Sequence, residues 1–347
     1  MKYIGLDLHK KNIFATVLDG DGKILSRANI RSKKEDISYY LKSQGSSENL
    51  SIAIEASYNW LYYYRILEGI TDNIVVAHPL KTKIIGESRV KTDKIDSEAL
   101  AYMLKADMLP RVYIPTRISM ENKLLLRSRI SLVRLRTSIK NKVHAIIDRN
   151  RDSYLSLENK SDIFCKTGML VLRDTKIPEP DYMIITNYLD LIDELNKKIK
   201  EIEAEIDKRV VCDKDVELLK TIPGVGRFIS FLLKSEIDSI DRFSSKEKFT
   251  SYAGLTPSVH QSGNKSYTGK ITKQGNKFIR WALTEAAQVA IVHSEYFRYY
   301  YSKAKAKKGT NSAIVAVARR IAEIAYEIAY VILKEKREYI EKPINYS

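Results

Sequence analysis

The chain has 347 residues, 44% of them hydrophobic, with 59 Lys and Arg against 43 Asp and Glu and a formal charge of +16. That size and apolar content exclude a disordered basic tail and allow two or three packed domains, while the positive field attracts a polyanion without naming it. Cys165 and Cys212, far apart and without partners at zinc spacing, exclude a disulfide framework and a structural zinc site.

Along the chain, the β-rich stretches Tyr3 to Leu8, Ile13 to Leu18 and Lys23 to Ile30 predict three strands, the last two joined as a hairpin by Asp19-Gly-Asp-Gly22. A helix from about Lys33 to Lys42 follows, then a buried strand Leu50 to Ile54, a helix from about Trp60 to Glu68 and a strand Ile74 to Ala77. Three strands followed by alternating helix and strand is the order of an RNase H-like α/β domain.

Four acidic residues occupy telling places on that pattern. Asp7 falls in the first strand, Glu55 at the end of the fourth, and Asp93 and Asp96 at the start of a helix running to about Lys105, three residues apart and so able to share a face. Carboxylates gathered from two strands and a helix can hold two Mg²⁺ ions, with Mn²⁺ as a substitute, the usual device for cutting or joining phosphodiesters. Taken singly, Asp93 reads as an N-cap and Glu55 as a strand-end surface residue, so the ordered set carries the inference.

A long helix from about Glu121 to Arg149 has no Gly or Pro and repeats Leu125, Leu132, Ile139 and Ile146 every seven residues. Ile185, Tyr188, Ile192, Leu195, Ile199, Ile202 and Ile206 alternate spacings of three and four, a coiled-coil seam. The two helices can fold back as an arm across Ile177-Pro-Glu-Pro180 or pair with a second copy, which predicts a homo-dimer or tetramer. Arg127, Arg129, Arg134, Arg136, Lys140, Lys142 and Arg149 could track phosphates along a duplex; a solvated helix face is the plain alternative.

In Thr221-Ile-Pro-Gly-Val-Gly226 before an apolar helix Phe228 to Leu233, the chain resembles a helix-hairpin-helix turn. Gly224 and Gly226 would let backbone N–H groups approach a phosphate, although a tight turn between packed helices has the same composition. From Gly254 to Gly275 the chain is too rich in Gly, Ser and Asn for a helix, and is the best loop for a functional site. Ser262 beside Gly263 would expose its hydroxyl near Lys265, Lys270, Lys273 and Arg280, but pattern alone favours a turn serine bonded to its own backbone over a nucleophile. Tyr296 to Lys308 interleaves aromatics with cations, suited either to stacking on bases or to a helix that buries Phe297 and Tyr300. The last helix, Ala313 to Leu333, reads as packing, with Arg319 and Arg320 as candidate phosphate contacts.

These residues resemble the DEDD transposases of the insertion-sequence-110 family and their Piv-type invertase relatives over nearly the whole chain. Gly5-Leu-Asp7 with His9-Lys10, Ile54-Glu55-Ala-Ser57 and Lys91-Thr-Asp93-Lys-Ile-Asp96-Ser-Glu-Ala99 are similar to the family's RuvC-like domain. Ile222-Pro-Gly-Val-Gly226, Tyr252-Ala-Gly-Leu-Thr-Pro257, Gln261-Ser-Gly263, Lys273-Gln-Gly275 and Arg280 are similar to its C-terminal transposase domain. The fold expected is α/β plus all-α: a RuvC-like DEDD domain over 1–118, a coiled-coil dimerisation arm over 119–212, and a mainly helical transposase domain over 213–340.

The resemblance implies a recombinase that moves an insertion sequence through a circular DNA intermediate, with Mg²⁺ on Asp7, Glu55, Asp93 and Asp96 and with Ser262 as the nucleophile that becomes joined to the DNA phosphate. It also implies guidance by a structured noncoding RNA and assembly through the coiled coil. Thr272, Gln274 and Asn264 depart from residues common in relatives, which bears on subgroup and loop positioning. Two rival readings stay open, a RuvC-like nuclease or junction resolvase that uses water and a noncatalytic nucleic-acid-binding protein. A tyrosine recombinase is poorly served, since the Tyr299 cluster has no Arg and His constellation, and His144 and His260 read as structural or surface residues. Asp7 comes too early for a signal-peptide core and no apolar run approaches the roughly 18 residues of a membrane span, so the expected location is cytoplasmic, on the nucleoid when DNA is bound.

Overall fold

The computed structural model describes residues 1–57, 59–85, 93–157, 160–262 and 265–329. Two compact units, Met1–Ile114 and Pro115–Ser347, divide the chain, and the pair of long helices falls in the same unit as the C-terminal helices. Among the described residues, no helix is long and apolar enough to cross a membrane.

The first unit is built on a five-stranded sheet in the order β3 (Ile24–Arg31), β2 (Asn12–Leu18), β1 (Lys2–Leu8), β4 (Leu50–Glu55) and β5 (Ile74–Ala77). Strands β1, β2 and β3 are antiparallel neighbours, while β4 runs parallel to β1 and β5 parallel to β4. The Asp19 carboxylate closes the predicted β2–β3 hairpin by accepting from the N–H groups of Asp21 and Lys23. Alternation of side chains gives the sheet two apolar faces. Ile4, Leu6, Ile52 and Ile54 pack with Ile37 and Leu41 of α1 (Lys34–Gln44) and Tyr63 and Ile66 of α2 (Trp60–Leu67). On the other face, Ala53, Val75 and Ala77 meet Leu100, Met103 and Leu104 of α4 (Asp93–Lys105), which follows α3 (Pro79–Ile85).

Helix α4 lies unusually close to the sheet because β1 has a glycine beneath it. A Cβ on Gly5 would overlap the carbonyl oxygen of Ser97 and stand 2.6 Å from the amide nitrogen of Ala101. A buried hydrogen bond between Thr16 and Ser97 (2.9 Å) and an ion pair of Arg27 with Glu98 (2.6 Å) hold the helix against β2 and β3.

In the second unit, α5 (Arg117–Arg149) begins earlier than the sequence pattern predicts. Thr116 caps it, accepting from the Ser119 N–H, and itself donates through N–H and Oγ1 to the Asp238 carboxylate at 2.8 Å each. After α6 (Lys166–Asp174), α7 (Asp181–Val210) returns antiparallel to α5, with Arg209 on Asn122, Arg129 on Glu203, Arg136 on Asn196 and Arg149 on Asp181 marking successive levels. The α7 seam falls largely as predicted, with Ile185, Ile192, Leu195, Ile199 and Ile206 buried. On α5 the predicted row drifts. Leu125 and Leu132 are only partly buried, and Leu126 and Ile130 take the inner positions. The physical reason is a second partner, since Leu126 and Ile130 also join the core of the C-terminal helices.

That core gathers α8 (Lys214–Lys220), α9 (Arg227–Ile237), α10 (Lys246–Tyr252), α11 (Lys277–His293), α12 (Glu295–Lys308) and α13 (Thr310–Ala329). Ala282, Ala286, Ala287 and Ala290 of α11 and Ala318 and Ala322 of α13 are fully buried, and their small side chains let the helices approach. The predicted loop between α10 and α11 is instead an antiparallel hairpin of β6 (Pro257–Ser262) and β7 (Lys265–Ile271). Gly263 and Asn264, residues 86–92, and the predicted last turn to Leu333 lie outside the described residues.

Candidate functional site

The register that sets Leu6 of β1 beside Ile54 of β4 brings Asp7 and Glu55, next along each strand, to the same end of the sheet. Asp7 lies two residues past Gly5 and Glu55 two past Ala53, so both belong to the face that α4 covers. Asp93 and Asp96 form the first turn of that helix. Because Gly5 lets α4 settle onto β1, the two aspartates stand close enough to Asp7 for their charges to raise its pKa. Burial is the larger cause of that rise, pushing the Asp7 carboxyl up from 3.8, and a hydrogen bond from His9 opposes it.

His9, not among the site residues expected from sequence, stands beside these carboxylates. Its Nε2 lies 3.0 Å from Asp7 Oδ2 and 3.3 Å from Asp93 Oδ1, and the ligand atoms of Asp7, His9 and Asp93 all fall within 4.8 Å of one another. The signal for His9 in sequence is its place two residues past the first carboxylate, within the stretch Gly5 to Lys10 that is similar to the family's RuvC-like domain. Carboxylate oxygens joined by an imidazole nitrogen are a donor set that fits a divalent cation.

In the second unit, Ser262 closes β6 opposite Lys265 of β7, at the end of the hairpin away from its stem. The stem is tied by Arg280, whose guanidinium donates to the carbonyls of Ala253 (3.2 Å) and Lys273 (3.0 Å). Asn276 caps α11 through the N–H groups of Phe278 and Ile279 and donates to Glu236 at 2.8 Å. Glu236 is fully buried and receives a bidentate pair from Arg127 (2.7 and 2.8 Å), while the Arg127 cation lies over the Phe278 ring. Lys123, buried beside Glu236 and Asp238, has its ammonium pushed down to about 8 by burial.

Several side chains predicted to meet phosphate therefore have structural partners. Arg127 is committed to Glu236 and Arg280 to the hairpin stem, and Lys140 lies 4.3 Å over the Phe164 ring. Gly224, at φ +81°, packs where a Cβ would overlap the carbonyl oxygen of Ala286, so close helix packing accounts for this glycine. Arg319 and Arg320 both pair with Glu323, and Phe297 is buried as the packing alternative supposed. Arg134 and Lys273 are exposed, and Gly226 opens α9 with no atom near a built Cβ.

Residues 4–150 match the family model of the IS110 DEDD transposases, and residues 216–302 match that of the transposase IS116/IS110/IS902 family. The chain belongs to the IS110 transposase family. Among its relatives within and around that family are the transposase for insertion sequence element IS1111A of Coxiella burnetii, 22% identical over 94% of this chain and 89% of that protein, and the transposase for IS1328 of Yersinia enterocolitica, 25% identical over 94% and 96%. A pilin gene-inverting protein of Moraxella bovis is 28% identical over 40% of this chain and 45% of its own length. As an IS110-family transposase the chain is a DNA-acting enzyme, and the N-terminal match spans Asp7, His9, Glu55, Asp93 and Asp96 together.

Proposed function

We propose that this transposase cuts and rejoins DNA strands in a Mg²⁺-dependent reaction, with Asp7, Glu55, Asp93 and Asp96 holding the ions and Ser262 as the nucleophile. The observation that carries the metal-dependent part is the gathering of Asp7, His9 and Asp93, with ligand atoms within 4.8 Å of one another, where α4 settles over Gly5. The strand order β3-β2-β1-β4-β5, with one antiparallel meander and two parallel additions, supports an RNase H-like, RuvC-like reading of this unit. Bound divalent ions, Mg²⁺ or Mn²⁺ in its place, would neutralise the carboxylates and supply Lewis-acid stabilisation of phosphate charge.

Ser262 has the other part of the chemistry. Its Oγ forms a bond to phosphorus as the bond from phosphorus to the sugar oxygen breaks, the hydroxyl proton ends on the departing sugar oxygen, and the phosphoserine retains the ester for the reverse exchange that rejoins strands. Its position at the far end of a hairpin with a tied stem supports this role, as does the cation opposite it, Lys265. Arg134, Lys273 and Gly226 are the contacts favoured for nucleic acid, because the first two are exposed and no atom lies where a side chain on Gly226 would begin. The antiparallel α5–α7 pair supports a coiled-coil arm over 119–212, with the transposase domain following over 213–340, and a dimer or tetramer of such chains is part of the same reading. A charge of +16 suits a noncoding guide RNA as a second polyanion beside DNA, with the protein on the nucleoid while bound.

The test is a strand-exchange reaction on plasmid DNA carrying the element's ends, scored for joined product and for protein covalently retained on DNA. Ser262→Ala is expected to lose both, and Asp7→Asn to lose all Mg²⁺-dependent cleavage. Full recombination by Ser262→Ala would favour a water-using nuclease of the RuvC type. Cleavage unchanged in Asp7→Asn would remove the acidic site from the chemistry.

A further inference from the structure

We propose that His9 is itself a ligand of the divalent ion, giving the site a nitrogen donor and a preference for Mn²⁺ over Mg²⁺. The inference rests on the reading that the carboxylates around Asp7 hold a cation, and adds to it a residue and a selectivity. Geometry is the first support. Two ligands about 2.1 Å from a shared ion stand about 3.0 Å apart at an octahedral right angle and about 3.4 Å apart in a tetrahedron. Nε2 of His9 is 3.0 Å from Asp7 Oδ2 and 3.3 Å from Asp93 Oδ1, the spacings of neighbouring ligands around one ion.

The turn that carries the imidazole is the second support. The His9 N–H donates to the Asn12 carbonyl (3.0 Å), and the His9 carbonyl accepts from both Ser32 Oγ (2.8 Å) and Tyr63 Oη (2.9 Å). Tyr63 is buried in α2, so the backbone of an otherwise exposed residue is anchored to the core beneath it. A surface pair between histidine and carboxylate contributes little in water and needs no such anchoring, whereas a metal ligand gains from a fixed approach. The His9 side chain is 47% exposed and that of Asp93 49%, which leaves the ion a path from solvent, while Asp7 at 17% forms the floor.

Chemistry decides the selectivity. Mg²⁺ prefers an all-oxygen shell and keeps its waters, whereas Mn²⁺ stands on the transition-metal series that accepts imidazole. An imidazole also adds a donor without adding another negative charge to a crowded carboxylate cluster.

Pulsed EPR of the full chain loaded with Mn²⁺ tests this directly, because a coordinated imidazole imprints ¹⁴N modulation on the bound ion's signal. Wild type is expected to show it, and His9→Gln and His9→Asn to lose it. Even outer-shell partners of a metal ligand are worth about 10- to 100-fold in affinity, so these variants are expected to bind Mn²⁺ about tenfold more weakly or worse, with Mg²⁺ affinity measured by competition nearly unchanged. Tightly bound Mn²⁺ without ¹⁴N modulation in wild type overturns the role of His9 and leaves the carboxylate site standing. Equal Mn²⁺ binding by wild type and Asp7→Asn overturns the carboxylate site, and the role of His9 falls with it.

Discussion

Gly5 does more for the candidate metal centre than a residue without a side chain would suggest. The two nearest groups that its Cβ would meet, the Ser97 carbonyl and the Ala101 amide, are backbone of α4, so neither can turn aside. In Gly5→Ala the helix must rise from β1 and carry Asp93 and Asp96 away from Asp7. Overpacking of this kind costs about 1–3 kcal/mol. The variant is expected to melt several degrees lower and to lose most of the upward shift that Mn²⁺ gives wild type, read by thermal melts with and without the ion. A lower melting point with the full Mn²⁺ shift retained would mean that α4 does not set the site. The placement of Asp7 and Glu55 near strand ends and of Asp93 and Asp96 in the first turn of a helix was legible in sequence from strand pattern and helix spacing. His9 was not, since its reach to Asp7 and Asp93 depends on a turn held by Asn12, Ser32 and Tyr63, residues with no periodic relation to it.

Periodicity read the helices and strands of the first unit well, and it failed on α5 and on the serine hairpin for separate reasons. A repeat of seven marks the face toward one partner, but α5 serves α7 along its length and the C-terminal core near its start, so the buried stripe shifts to Leu126 and Ile130. The same blindness makes Arg127 look like part of an outward row, because Glu236, its buried partner, is supplied by α9. The hairpin was read as loop because its strands are polar and glycine-flanked; what holds it is the stem, where one guanidinium joins the carbonyls of Ala253 and Lys273. Arg280→Met keeps the length of the side chain and removes both hydrogen bonds. Leaving the partly buried Ala253 carbonyl unmet, while water meets that of exposed Lys273, is expected to destabilise by about 1 kcal/mol or more. Amide hydrogen exchange is expected to quicken through residues 254–272 while α9 keeps its protection. Uniform loosening of the whole helical core would show that the tie belongs to the core and not to the hairpin.

For the whole molecule, the net charge of +16 overstates what a polyanion can use. Many cations are already paired within their own unit, among them Arg27 with Glu98, Arg127 with Glu236, Arg129 with Glu203, Arg149 with Asp181 and Lys234 with Asp213. A cation held this way is poorly placed to displace counterions from DNA, so the salt dependence of binding reports the exposed set rather than the composition. Each phosphate contact adds about one unit to the slope of log affinity against log salt. Arg134→Gln is therefore expected to lower that slope by about one unit on nonspecific duplex DNA and to leave thermal stability unchanged. Arg127→Gln, in contrast, leaves a fully buried carboxylate without its bidentate partner, and is expected to lower the melting temperature while the slope stays the same. Fluorescence anisotropy over a range of salt concentrations, paired with melts of both variants, separates the two classes of cation. If Arg127→Gln lowered the slope as much as Arg134→Gln, the pair of Arg127 with Glu236 would have to open on DNA, and the unpaired exposed set would no longer account for binding.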